Sequence, residues 1–326
     1  MAERRIDGTR DFQDRSFKSN PRDPRAPWER KVKTHRLEAG SFLWFLPAAL
    51  LLSGMVFYPI LRTILLSFAH RSLATGFRTE FAGIDNFARI VTDSRFHASL
   101  WTTLVFTIVS VLAEFVIGLA LAISVTSIRG WRNAVRAILL VPWTLPTAVT
   151  AVLWAWVLND QYGALNAFLL HSGVTQTPIG WLATPASAMI AIIATDVWKT
   201  APFVFLILLA GLQNIPRDLY DAIEIDGGGA WAKFRYVTWP HLMPFSFVAL
   251  IFRTVQAFAI FDLVWVMTGG GPGGATETVS IYTYRTYMRY LDFGYGAALA
   301  VTTVAILSAA AGGLYTALVS KYERTF

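Results

Sequence analysis

Cysteine is absent from this chain of 326 residues, which excludes disulfides and thiolate metal sites together. Charge is scarce: 15% of residues are Asp, Glu, Lys or Arg, against about 25% in an ordinary soluble domain. The five histidines, His35, His70, His97, His171 and His241, are scattered with no pair at metal-ligand spacing. No GxxxxGK[ST] run occurs, so the chain cannot itself cradle nucleotide phosphates in a P-loop. A nucleic-acid motif or basic recognition helix is missing as well. What remains is 55% hydrophobic and 14% aromatic, with a mean hydropathy of +0.48. That balance belongs to a membrane protein.

A transmembrane helix needs about 20 mostly apolar residues to cross roughly 30 Å of hydrocarbon. Six stretches qualify: 41–68, 99–126, 137–158, 186–212, 243–268 and 294–320. Lys and Arg concentrate in loops that stay cytoplasmic. With both termini inside, 19 of the 28 basic residues fall on the cytoplasmic side and 6 on the outer side, so both termini and the 214–244 loop are expected in the cytoplasm. This bias accounts for the net charge of +7 without nucleic acid. Residues 1–40 read as a mobile cytoplasmic arm: 1–38 hold 11 basic and 7 acidic residues without apolar periodicity, a pattern able to brush anionic lipid heads. The first apolar run starts too late and is too long for a cleaved signal peptide. Residues 321–326 read as a cytoplasmic tail.

The loop NIPRDLYDAIEIDGGGAWAKFRYVTWPHLMP, residues 214–244, is polar yet patterned. Pro216 suits a helix start, since its missing N–H would lack an intrahelical partner there. Leu219, Ala222 and Ile223 share one face, with Arg217, Asp218, Asp221 and Glu224 largely off it. Gly227, Gly228 and Gly229 end that helix. A second short helix carries Trp231, Phe234 and Val237, and Pro240 and Pro244 are expected to close the unit.

This helix, glycine turn, helix succession resembles the coupling loop of permease subunits of binding-protein-dependent ABC importers. The family pattern, Glu-Ala-Ala, three residues, Gly, then an Ile-x-Leu-Pro-like end, matches at Asp221, Ala222, Ile223, Gly227 and Val237 to Pro240, with Asp for Glu and Ile for a small Ala. Further signatures follow in the family's order: YPILRTILLSF (Tyr58 to Phe68), FAGIDNF (Phe81 to Phe87), RAILLVPWTLPTAVTAVLWAWVLND (Arg136 to Asp160), YGALNAFL (Tyr162 to Leu169), DVWKTAPF (Asp196 to Phe203) and FDLVWVMTGGGPGGATET (Phe261 to Thr278). The combination most resembles carbohydrate-type importers, which include maltose, trehalose, lactose and glycerol-phosphate permeases. The resemblance, over roughly 41–320, implies an all-α membrane domain of six spans with a cytoplasmic helix-turn-helix coupling loop, in the bacterial inner membrane. It implies half of a sugar or glycoside pathway, completed by a second permease subunit, two ATPase subunits holding ATP and Mg, and an external solute-binding protein. This chain would bind no cofactor. Asp221, Ala222, Ile223, Glu224 and Gly227 would meet the ATPase.

Charges inside spans are costly and usually face a bundle interior, a partner or a pathway. They are Arg62, Glu114, Asp196, Lys199, Arg253 and Asp262. Asp196 and Lys199, three apart, can pair on one helix. Phe252, Arg253 and Gln256 are expected on one face of the fifth span, where an amide and a guanidinium beside a ring suit a polyol. Asp262 and Trp265, three apart, form another such pair. Structural ion pairing explains the charges equally well. The GGGPGGATET segment reads as a flexible turn near the outer mouth, where a binding protein could dock. The rivals are a permease for an amino acid or other non-sugar solute, which should lack the FD to TGGGP segment, an ion-driven carrier, which usually shows an internal repeat, and a membrane enzyme, which should show convergent catalytic residues. Neither a repeat nor a catalytic constellation is visible.

Overall fold

The computed structural model describes residues 39–128 and 130–323, so the expected arm at 1–40 lies outside the described residues except for 39–40, and the expected tail at 321–326 except for 321–323, where the last helix ends. The chain divides into two units, residues 1–58 and 59–326. In the first, helix α1 (Ala39–Leu52) leads into a wide π turn (Ser53–Phe57). Its described side chains from Phe45 onward are all exposed, as suits an apolar helix whose solvent is lipid.

The second unit opens within α2 (Tyr58–Ser67), followed by a two-stranded antiparallel hairpin, β1 (Ala69–His70) with β2 (Glu80–Phe81). Then come α3 (Asp85–Thr92), α4 (Ser94–Ser127), α5 (Arg132–Thr144), α6 (Thr147–Val157), α7 (Ala164–His171), α8 (Pro185–Gln213) and α9 (Arg217–Ile225). A short α10 (Ala230–Ala232) passes through a π turn (Lys233–Thr238) into α11 (Trp239–Phe258). The order ends with α12 (Asp262–Met267), α13 (Val279–Tyr284), a π turn (Arg285–Arg289) and α14 (Phe293–Glu323).

Among the described residues, five helical stretches are long and apolar enough to cross a membrane: Phe45–Ser67, Ser94–Ser127, Pro185–Gln213, Ala230–Phe258 and Phe293–Ala317. The expected span at 137–158 is instead two helices, α5 and α6, bent by 92°, and makes the sixth when the pair is counted as one. The break has a local cause. Leu145 precedes Pro146, which disfavours the helical region for it, and both residues are extended, with ψ of 137° and 139°. Pro142 and Pro202, by contrast, are absorbed inside α5 and α8.

The fifth expected span, 243–268, shifts toward the loop. Its helix begins at Ala230 and stops at Phe258, leaving Asp262 and Trp265 on the separate α12. Pro240 and Pro244 do not close the loop unit; both lie within α11. The π turn makes this possible, because it bonds i to i+5, as in Trp239 N–H to the Phe234 carbonyl, and loosens the ladder ahead of the prolines.

The core forms where α4, α8 and α11 meet. Ala122, Val125, Val204, Phe205, Leu208 and Leu242 are fully or nearly fully buried there. A β-carbon on Gly118 of α4 would come within 2.9 Å of Val204, and one on Gly211 of α8 within 2.7 Å of Phe245. Small residues thus let the helices approach closely, the main source of helix association where lipid removes the hydrophobic effect.

Candidate functional site

The 214–244 loop folds into a compact knob. Pro216, at φ −59° and ψ 137°, caps α9, and Gly227 ends it at φ +81°. The Gly228 N–H bonds the Ile223 carbonyl at 2.8 Å and the Gly227 N–H bonds that of Glu224 at 3.1 Å, a complete Schellman pair. Lys233 Nζ reaches back to Glu224 Oε2 at 2.6 Å, tying the second arm to the first; this hydrogen bond and the lysine charge hold the Glu224 carboxyl below its ordinary range. Of the three apolar residues expected on one face, only Ile223 is half-buried, while Leu219 and Ala222 are exposed. Tyr220 packs inward instead, its hydroxyl 3.0 Å from Thr238 Oγ1. Asp221, Ala222, Glu224 and Gly227 all face out, as do Ile225 at 86% and Trp231 at 74% exposure. Large apolar side chains thus stand exposed beside carboxylates, braced underneath.

A second constellation lies inside the spans. Arg253 of α11 is 3% exposed and holds Glu114 of α4 by two bonds, Nε to Oε2 at 2.5 Å and Nη2 to Oε1 at 2.7 Å. Its Nη2 also donates to Asp196 Oδ2 of α8 at 3.1 Å, and its Nη1 to Gln256 Oε1 at 2.7 Å. Thr200 Oγ1 stands 2.7 Å from Glu114 Oε1. The ion pair of Asp196 is therefore with Arg253 and not with Lys199, which is half-buried on the same helix. Forked guanidinium geometry explains the preference: Arg253 satisfies two carboxylates and an amide at once.

Phe252 and Arg253 do not share a face as expected. Arg253 points into the core, whereas Phe252 and Gln256, four apart, are both exposed. Phe252 meets Phe203 of α8 at 5.0 Å between ring centroids, and Phe203 meets Trp143 of α5 at 5.7 Å. An aromatic ladder thus runs across three helices beside an amide fixed by a buried arginine. Trp143 and Phe203 escaped the sequence reading, though each directly follows an in-helix proline, Pro142 and Pro202. Asp262 is exposed at the start of α12. Trp265 belongs to another group: it stacks on Phe261 at 5.7 Å, meets Tyr284 at 5.0 Å and lies 5.3 Å from the Arg289 guanidinium carbon.

The GGGPGG segment is no flexible turn. Glu277 is 3% exposed and takes a forked pair from Arg95, at 2.7 and 2.9 Å, and a further bond from Arg285. Arg285 also donates to the Gly269 carbonyl, and Thr276 bonds Thr268 at 2.8 Å. Gly270, Thr276 and Thr278 are buried, leaving Gly273 and Gly274 as the exposed tip. Beside it, Asp93 caps α4 through the N–H groups of Arg95 and Phe96 and accepts the hydroxyls of Tyr282 and Tyr295, each at 2.5 Å. Burial would raise the Asp93 carboxyl, but these bonds win and hold it below the ordinary carboxylate range; burial and that carboxylate push Tyr282 up to about 12. None of this cluster was singled out from the sequence, because its members lie some 180 to 200 residues apart and share no motif.

A depressed carboxylate stabilises the fold above its ordinary pKa and loses that contribution as pH falls through the lowered value. The Asp93 cluster is therefore expected to weaken in acid, as pH falls below the ordinary range of an aspartate. Melting temperature against pH should fall more steeply on the acid side for the native chain than for Asp93→Asn; equal slopes would show that Asp93 carries no such linkage.

A bundle of close-packed apolar helices, a polar face built on broken and proline-bearing helices, and a braced, exposed knob define a multi-span membrane subunit shaped for transport. The fold matches that of a chain from a bacterial ABC transporter involved in the import of the acidic polysaccharide alginate, with a TM-score of 0.75 at 20% identity, covering 86% of this chain and 95% of that one. Residues 114–324 match the family described as binding-protein-dependent transport system inner membrane component. Over 277 residues, 85% of this chain and 92% of the relative, the sequence is 39% identical to the trehalose/maltose transport system permease protein MalF of Thermococcus litoralis. Over 260 residues, 80% and 84% of the two chains, it is 40% identical to the sulfoquinovosyl glycerol transport system permease protein SmoG of Agrobacterium fabrum. The chain belongs to this family of inner-membrane permease subunits of ABC importers.

Proposed function

We propose that the chain forms half of the translocation pathway of an ATP-driven importer for a sugar or glycoside. The observation that carries the substrate class is the 39–40% identity, over most of both chains, to permeases named for trehalose/maltose and sulfoquinovosyl glycerol. It favours sugar over the amino-acid reading. A second permease, similar but not identical, completes the pathway. Two cytoplasmic ATPase subunits hold ATP and Mg, a solute-binding protein delivers substrate from outside, and both termini lie in the cytoplasm. The knob around Asp221 to Gly227 engages an ATPase, so that closure of the ATPases moves the spans from inward-open to outward-open. The chain converts that work and does no covalent chemistry.

The pathway face is the Trp143, Phe203 and Phe252 ladder with Gln256 beside it. Rings pack on the apolar face of a sugar while the amide bonds its hydroxyls. Arg253 takes no direct part; it holds Gln256 through the 2.7 Å bond. Lys199, Asp262 and Trp265 stay candidates for weaker contact. Gln256→Ala is expected to reduce uptake about three- to tenfold, in line with one net hydrogen bond of roughly 0.5–1.5 kcal/mol, and Asp262→Ala less, with the complex assembled in both. Unchanged uptake kinetics in proteoliposomes would remove these residues from the pathway.

A further inference from the structure

On the knob side of the bundle, the ends of α4 and α8, the start of α5 and the knob line a half-open cavity of about 560 Å³. One part of its wall is apolar: Ile123, Leu212 and Phe234. The other carries three basic side chains, Arg132, Arg217 and Lys233, and no carboxylate is among the lining residues. Glu224 reaches only Lys233, from an exposed position.

Arg132 supplies the second observation. Neither it nor Arg217 forms an ion pair or a side-chain hydrogen bond among the described residues. Guanidinium groups that face a cavity without an acceptor leave their N–H groups for one. The first turns of α5 and α9, at Arg132 and Arg217, add the partial positive charge of two helix starts. Asp218 in the first turn of α9 offsets the partial charge there, so most of this contribution comes from α5, whose first turn holds no carboxylate.

We propose that this cavity binds a phosphate oxyanion, with the headgroup of an anionic phospholipid as the occupant its shape fits best. Three cations at the edge of the membrane attract such a headgroup, since basic pockets between spans are a recurring lipid site and the cytoplasmic leaflet is anionic. The apolar wall receives the first carbons of the acyl chain. Arg132 and Arg217 carry the recognition through charge-assisted bonds to phosphate oxygens. Binding here couples lipid composition to the stiffness of the knob, because Lys233 belongs both to the cavity and to the brace on Glu224.

The test uses the full purified chain in neutral detergent, titrated with short-chain phosphatidylglycerol, with phosphatidylcholine of the same chain length and with inorganic phosphate, reading melting temperature. A ligand that binds only the folded state stabilises it by mass action. Phosphatidylglycerol is expected to raise the melting temperature by several degrees, about 4 °C at near-saturation, where phosphatidylcholine does not. Arg132→Gln with Arg217→Gln should weaken the apparent affinity about tenfold, and Arg217→Gln alone, at an exposed position that does not endanger folding, about threefold. If inorganic phosphate stabilises as well, the cavity takes free phosphate and the proposal stands with that source; if phosphatidylglycerol alone does, the lipid is the occupant. Equal effects of the two lipids, or the same affinity in native and Arg217→Gln chains, overturn it. So would indifference to every phosphate probe combined with weaker capture of the ATPase subunit by the double variant, since the basic wall would then serve an acidic protein.

Discussion

Gly227→Val is expected to abolish ATP-driven uptake while leaving the spans inserted in the membrane. Gly227 sits at φ +81°, where a β-branched residue is a severe outlier and any L-residue costs about 1–2 kcal/mol. Nothing lies within 4 Å of a β-carbon there, so the damage comes from backbone strain and not from collision. Relief requires the chain to leave the left-handed region, which breaks the bonds from Gly227 and Gly228 back to Glu224 and Ile223. The second arm then loses its angle to α9, and with it the Lys233 to Glu224 brace. Gly228→Val should be harsher still, since even a bare β-carbon would stand 2.4 Å from Ile223 Cγ2. Affinity purification of the tagged variant, with uptake measured beside it, checks this. Normal uptake with the ATPase still attached would show that the shape of the knob is dispensable.

The second large effect concerns Arg253→Ala. Removing one member of a buried ion pair typically costs about 3–5 kcal/mol, because the partner is left charged and unpaired. Here two carboxylates would be stranded, Glu114 at full burial and Asp196 at 2% exposure. The variant is expected to accumulate poorly in the membrane and to melt well below the native chain. A triple variant, Glu114→Gln, Asp196→Asn and Arg253→Gln, should recover much of the loss, since neutral amides can bond one another without ionic desolvation. Uptake by the triple variant separates the two roles of the cluster. If Arg253 only holds the fold, transport returns with stability; if it also positions Gln256, stability returns and transport stays impaired. Native stability of Arg253→Ala would mean that the cluster carries no net charge pairing.

Local pattern made much of this legible in the sequence. The helix start at Pro216 and its stop at Gly227 follow from the special backbone requirements of proline and glycine, which no distant contact can override cheaply. The apolar runs located the spans because bilayer thickness imposes a length. Pairing was less accessible. Asp196 and Lys199 sit at helical spacing, yet Arg253 takes Asp196 because three helices converge there, and Gly118, one turn from Glu114 and unremarkable in the sequence, lets α4 approach α8 closely. The glycines of GGGPGG suggest mobility when read alone. Their neighbours Glu277 and Arg285, together with the remote Arg95, tie the segment down, and a salt bridge across 182 positions leaves no periodic trace. Pro240 and Pro244 misled for a different reason: a π turn upstream tolerates prolines that would end an ordinary α-helix.

That turn has a mechanical consequence. Because the helix is unbroken from Ala230 to Phe258, the arm bearing the exposed Trp231 and the buried arginine gripping Glu114 belong to one stretch of 29 residues, about 40 Å long. Beyond the π turn no break interrupts α11, so a tilt of its start carries Arg253 through the same angle. The π turn, Lys233–Thr238, lies next to the exposed end. A force applied at that end either bends the turn or swings Arg253 against its carboxylates, and the relative stiffness of the two sets how much of it arrives as motion of the bundle.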